Sequence, residues 1–209
     1  MHWAGEFAAD AFQVRQAASD VTVATAQSQS PLPFPPARPD HMRAPALLRE
    51  GGLVLRWLRG GDLPWLRELY ATTRADEMAP VPWPAAQKRR FLDQQFALQH
   101  DHFVRHFAAA DFLAIEQPEG RPIGRYYVAR SETFQVVDIA LTPACYRQGI
   151  GTALIKHTLA EAANGGRNAL LHVNKCNDRA MTLYSRLGFA VSEDAGSHWQ
   201  MRWSPTGPR

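Results

Sequence analysis

Two glycines one residue apart mark the stretch of this chain with the most chemical content. Val136 to Pro143 is an apolar run with a single carboxylate, Asp138. Ala144-Cys145-Tyr146-Arg147-Gln148-Gly149-Ile150-Gly151-Thr152 follows it directly. The pattern reads as a buried strand, a short loop and the start of an amphipathic helix. Glycines at such a junction let a ligand approach the backbone closely. The first amides of a helix have no intrahelical acceptor and lie at the positive end of its dipole, so they suit a phosphate group. Arg147 and the amides from Gln148 to Thr152 together form a candidate cradle for a pyrophosphate. No Gly-Lys-Ser/Thr follows, which excludes a P-loop. The third glycine of a dinucleotide fingerprint is missing, and the strand belongs to a hairpin run rather than to the start of a βαβ unit.

Other reactive residue types carry less. His102 and His106 stand one helical turn apart, a spacing seen among metal ligands, but no carboxylate or cysteine clearly completes a site. The expectation is therefore no metal. Cys145 adjoins the loop without the histidine and asparagine partners of a thiol nucleophile, and reads as inert.

A second informative stretch lies downstream of a strand over Ala169 to Asn174. It reads Asn177-Asp178-Arg179-Ala180-Met181-Thr182-Leu183-Tyr184-Ser185-Arg186-Leu187-Gly188-Phe189. Taken together, the two stretches resemble the GNAT superfamily of acetyl-CoA-dependent N-acetyltransferases. That family carries Arg/Gln-x-x-Gly-x-Gly/Ala at the loop and Asn-x-x-Ala-x-x-Leu-Tyr-x-x-x-Gly-Phe after it. The second pattern is matched here at every specified position. The resemblance spans roughly residues 53–203 and is most specific between Val136 and Phe189. It departs at Tyr146, three residues before Gly149, where the family has Arg or Gln; Arg147 comes one position later.

The resemblance implies acetyl-CoA as co-substrate and direct attack of a primary amine on the thioester in a ternary complex. Ile139, Ala140 and Leu141 then match the strand whose backbone pairs with the pantetheine arm and faces the oxyanion. Tyr146, Arg147, Gln148, Gly149, Ile150, Gly151 and Thr152 match the pyrophosphate loop. Asn177 caps its helix and reaches the cofactor arm, and Tyr184 matches the general acid that protonates the leaving thiolate. An alkylamine is mostly protonated at neutral pH, so a base must take its proton. Asp138 is the candidate, with an ion pair to Arg125 or Arg130 as the competing role. Acceptor contacts are expected from the N-terminal helices and the loop between them: Arg74, Glu77, Trp83, Gln95 and Gln99, with Asp76 beside Glu77. The acceptor is expected to be a small molecule or a peptide or protein amine. The competing reading is a non-catalytic acyl-CoA-binding or interaction module.

The surrounding elements must position these residues. Leu53 to Leu58 reads as a strand, Asp62 as the N-cap of a helix over Leu63 to Arg74, and Ala85 to about Phe107 as a long helix. On the long helix Phe91, Gln95, Leu98 and His102 recur at helical spacing. Strands follow over Phe112–Gln117, Ile123–Arg130 and Phe134–Leu141. After them come a helix over Gly149–Ala163, the strand to Asn174, a helix over Asn177–Leu187, and strands over Phe189–Ser192 and His198–Trp203. This order predicts an α+β fold, with a mixed, mostly antiparallel sheet and helices on both faces.

Composition sets the outer limits. The chain has 209 residues, enough for one domain plus an appendage. Six of the 15 prolines fall within residues 31–45, which predicts an extended linker. Residues 1–50 read as a Pro/Ala-rich, poorly ordered extension, with a possible helix over Trp3 to Ala18. Residues 51–204 read as the transferase-like domain and 205–209 as a tail. Only two cysteines, Cys145 and Cys176, exclude a disulfide-built scaffold and suit a reducing cytoplasm. No run approaches the roughly 18 apolar residues of a membrane helix, and the start lacks the order of a signal peptide. The net charge of +3 is too small to argue for a nucleic-acid partner. It gathers in residues 145–190, where Arg147, Lys156, Arg167, Lys175, Arg179 and Arg186 face only Glu161 and Asp178. A homodimer is the expected assembly on family grounds.

Overall fold

The computed structural model describes residues 31–38 and 45–205. The possible helix over Trp3 to Ala18 and the last four residues of the tail lie outside them. Seven strands form one sheet: β1 (Val54–Trp57), β2 (Ala110–Glu116), β3 (Pro122–Arg130), β4 (Thr133–Leu141), β5 (Asn168–Asn174), β6 (Ala190–Ala195) and β7 (His198–Trp203). Their order is β1-β2-β3-β4-β5-β7-β6. Every pairing is antiparallel except that of β4 with β5. The helices are α1 (Ala46–Glu50), α2 (Leu63–Thr73), α3 (Ala75–Met78), α4 (Ala85–His106), α5 (Ile150–Asn164) and α6 (Asp178–Arg186). The expected mixed sheet with helices on both faces is therefore found.

Two apolar clusters lie on opposite faces. One joins Leu113, Ile115, Tyr126, Val128 and Val136 of the sheet to Leu154, Ile155 and Leu159 of α5, with α6 packed against it through Leu183, Tyr184 and Leu187. The other joins Phe112, Ala114 and Tyr127 to Leu66 and Tyr70 of α2 and Leu92 and Phe96 of α4. β2 is buried at all seven positions because helices cover both of its faces.

The structure corrects two sequence expectations. The buried face of α4 is Leu92, Phe96 and His100, offset by one residue from the expected stripe, and Leu98 points outward. Asp62 does not cap α2 through its side chain. Its carboxylate instead accepts from both terminal nitrogens of Arg56 and from the Arg59 amide, the stronger set of partners for a buried anion. Described residues before position 51 also make contacts with the sheet and helices. Leu48 of α1 is buried in the α5-side cluster. Residues 31–38 lie extended against α4 and β2: the Leu32 amide donates to Asp101, the Leu32 carbonyl meets the His100 ring, and Phe34 packs on His100 and Phe112. Arg38 donates to the carbonyls of Ala109 and Ala110.

Candidate functional site

The site begins where the parallel pairing stops. β4 pairs with β5 over only four positions, from Thr133–Asn168 to Val136–Leu171. Both strands continue, β4 to Leu141 and β5 to Asn174. The β5-facing backbone groups between Val137 and Leu141 therefore have no strand partner among the described residues. A bulge falls at Val137, because Tyr127 pairs with Asp138 while Val128 pairs with Val136. A bulge bends its strand and re-aims the side chains beside it. Here it puts Asp138 on the α2/α4 face, while Ile139 and Leu141 pack into the α5-side core. Gly124 of β3 allows the close approach of β4: a Cβ there would stand 2.6 Å from the Ala140 carbonyl oxygen.

β4 runs through a 3-10 turn at Pro143–Cys145 into the predicted loop. Arg147 has φ 63° and Gly149 φ 78°, so the backbone turns through two left-handed residues into α5. Ala153 is the first residue of α5 whose amide finds a backbone acceptor, the Gly149 carbonyl at 2.9 Å. The preceding amides from Arg147 onward stay available to an anion. No atom lies within 4 Å of a Cβ built on Gly151, so the backbone there can be approached closely. Tyr146 and Arg147 are exposed, whereas the Gln148 side chain folds back onto the Ala144 carbonyl. Arg179 of α6 places its guanidinium 6.0 Å from the Tyr146 ring centre. Sequence reasoning missed this second cation at the loop; its signal was its place two residues after Asn177. Cys145 is buried under this turn.

On α6, the Asn177 side chain accepts from the Ala180 amide at 3.0 Å, so it caps the helix as expected. Tyr184 is half-buried against the α5-side core, its ring 6.0 Å from that of Phe189. Burial, with a smaller contribution from the Asp138 charge, pushes the phenol up to about 12. The phenol and the Asp138 carboxylate thus feel each other across the parting of the strands.

Asp138 accepts from Arg125 Nε at 2.6 Å, and Arg125 Nη2 donates to Gln99 Oε1 at 2.7 Å. Of the two arginines weighed as partners, Arg125 holds Asp138, while Arg130 binds Asp111 and Glu161. Arg125 is buried; burial opposes its charge, but Asp138 together with Tyr127 and Tyr70 outweighs that and leaves the guanidinium more basic than usual. Its guanidinium also lies 5.4 Å from the Tyr127 ring centre.

The expected acceptor contacts divide. Arg74, at the C-terminal end of α2, binds Glu77 at 3.0 Å and lies 5.4 Å from the Tyr70 ring centre. Burial opposes its charge, but Tyr70 and Glu77, with a smaller contribution from Asp138, leave it more basic than usual. Gln99 faces inward as the support of Arg125. Gln95 is half-buried on α4. Trp83 packs edge-on against Phe91 at 5.5 Å, and Asp76 is exposed on α3. Tyr70, buried beside Arg74, was not foreseen, because its position on α2 reads as core. His102 and His106 stack on each other at 4.3 Å, and no group of three metal-ligand side chains occurs among the described residues. No described helix is long and apolar enough to cross a membrane.

Comparison with known proteins agrees with this geometry. Residues 66–189 match the model of the acetyltransferase (GNAT) family. Mycothiol acetyltransferase of Salinispora tropica is 30% identical over 171 residues, which cover 77% of this chain and 48% of that protein. The chain thus spans about half the length of the curated relatives it matches. Among solved structures, the PaiA N-acetyltransferase of Thermoplasma acidophilum in complex with coenzyme A superposes with a TM-score of 0.56 at 17% identity, over 73% of this chain and 98% of that one. An acetyltransferase from Thermus thermophilus superposes with a TM-score of 0.54 at 13% identity, over 73% and 96%. Likeness at these identities concerns the fold.

Proposed function

Because the chain belongs to the acetyltransferase (GNAT) family, we propose that it transfers an acetyl group from acetyl-CoA to a primary amine. The observation that carries this reading is the parting of β4 and β5 between an amide-lined loop and the half-buried Tyr184. The residues present fit the co-substrate. The loop amides from Arg147 to Thr152, with Arg147 and Arg179, face its phosphates. The β4 edge at Ile139–Leu141 offers backbone groups to its amide-bearing arm, and Asn177 stands beside that arm. Acetyl-CoA supplies an activated acyl carbon and a thiolate leaving group.

The remaining work belongs to the chain. Backbone amides of the β4 edge are suited to a developing oxyanion, being fixed before the reaction begins. Tyr184 keeps its proton across the physiological range because its phenol is pushed up, so it can donate to the sulfur. Asp138, neutralised on one side by Arg125, holds a fixed negative charge on the face from which an ammonium group would arrive. Arg74 and Glu77 border the same face. Incubation with acetyl-CoA and a panel of primary amines, followed by free-thiol detection, tests the reading. Thiol release that depends on one amine class supports it. Tight CoA binding with no release across the panel replaces it with an acyl-CoA-binding module.

A further inference from the structure

We propose that His172 is the proton acceptor for the incoming amine, placed on the face of the sheet opposite the helix that carries Tyr184. This assignment rests on the acetyltransferase reading above. Leu171 and Val173 are buried in the α5-side core, so His172 between them points to the other face. Asp138 points the same way across the parting. His172 is also the first residue of β5 beyond the last β4–β5 pair, Val136–Leu171. It therefore stands at the root of the opening, half-buried, on the face of the sheet that α2 covers at β4.

Its neighbours hold it for this task. Gln200 lies directly opposite on β7, its amide nitrogen donating to Ser192, and Glu193 lies opposite Gln200 on β6. Other charged or titratable groups on this face include His198 and Arg202 of β7, Asp138 of β4 with its partner Arg125 and the neighbouring Tyr127 of β3, Arg74 at the end of α2, and Glu77 of α3. Burial pushes the imidazole below its ordinary value, while Glu193 and Gln200 push partly back. At neutral pH the ring is neutral and has a free nitrogen to accept a proton.

The step balances as follows. One N–H bond of the ammonium group breaks, and its proton goes to the imidazole. The freed lone pair attacks the acyl carbon, forming the C–N bond and an oxyanion. The C–S bond then breaks, and the sulfur takes the Tyr184 proton. Tyr184 regains a proton from the nitrogen, and the imidazolium releases its own to solvent.

His172→Gln tests the proposal, with calorimetric CoA binding as the check on folding. With the best primary alkylamine of the panel, kcat at neutral pH should fall about 100-fold, the scale of a lost base, and recover as the pH nears the amine's own pKa. With hydroxylamine, already neutral there, the rate should hold. An unchanged pH profile, or equal losses with both acceptors, would overturn the proposal. Gln200→Leu should move the acid limb to lower pH, since Gln200 favours the protonated ring; an unmoved limb counts against His172. Ring nitrogen NMR of the CoA-bound protein, with the signal identified by its loss in H172Q, must show a neutral ring at neutral pH. A protonated ring overturns the assignment even if no acceptor has been found. A neutral ring with no thiol release from any amine overturns the transferase reading, and this one with it.

Discussion

Tyr184 shows how one side chain meets two demands. It fills the space between α6 and the α5-side core, and it presents a phenol at the parting of the strands. Tyr184→Phe keeps the packing and removes only the donor. Turnover should therefore fall by about 100-fold or more while the calorimetric Kd for CoA stays within about twofold; equal turnover would remove Tyr184 as the acid. The pH profile is a second check. Because the folded phenol is pushed up to about 12, its ionisation produces no alkaline fall in rate near pH 9 to 10, where an exposed tyrosine would begin to titrate. The sequence made this residue legible because Leu183-Tyr184 sits in a fixed pattern with Asn177 and Gly188. The Asp138–Arg125–Gln99 chain was legible only in part. Arg125 was foreseen as a partner, but Gln99 is 26 residues away on another element, and no local pattern announces that contact.

At the scale of elements, strand register does most of the positioning. Gly124 sits opposite Leu141, and its lack of a side chain lets the Ala140 carbonyl and the Leu141 side chain occupy the space where a Cβ would be. Gly124→Ala should cost about 1–3 kcal/mol, the range for overpacking, and weaken CoA binding because the displaced strand is the one whose edge meets the ligand. Thermal melts and calorimetry read both; a variant that loses neither would show that β4 can shift without consequence. Strands and their order were readable from alternation and from turn residues such as Pro118-Glu119-Gly120. The inward face of α4 was not. Phe91, Leu92, Phe96, Leu98, Phe103 and Val104 spread apolar surface around that helix, so its own pattern does not choose a face. Contact with Phe112 and Tyr127 of the sheet chooses it. α1 was missed for a related reason: five residues give too short a period to read, and Leu48 is held by the core rather than by helical propensity.

At the scale of the whole molecule, a segment upstream of β1 packs on the sheet and helices. Residues 31–38 form a strap over α4 and β2, pinned by Phe34 between His100 and Phe112 and by Arg38 at the start of β2. Removal of residues 1–38 should lower the Tm by about 5 °C, as expected for a loss of about 1–3 kcal/mol in a protein of this size. An unchanged Tm would mean that the strap contributes nothing to stability. The strap also buries His100, and burial pushes that imidazole down. The unfolded chain therefore takes up a proton first as the pH falls below neutral, and stability declines in the same window. The shortened chain, with His100 uncovered, should lose less over that range. The four-residue pairing of β4 with β5 has a wider consequence. Among the described residues it is the only strand pairing between an antiparallel half-sheet, β1–β4, and another, β5–β7. A co-substrate arm laid along the β4 edge then acts as a splint across that joint. Amide exchange at Ile139–Leu141 and at His172–Asn174 should slow together when CoA binds. The ligand becomes, for one turnover, a mechanical part of the sheet, and its release returns the joint to the four pairs the chain supplies.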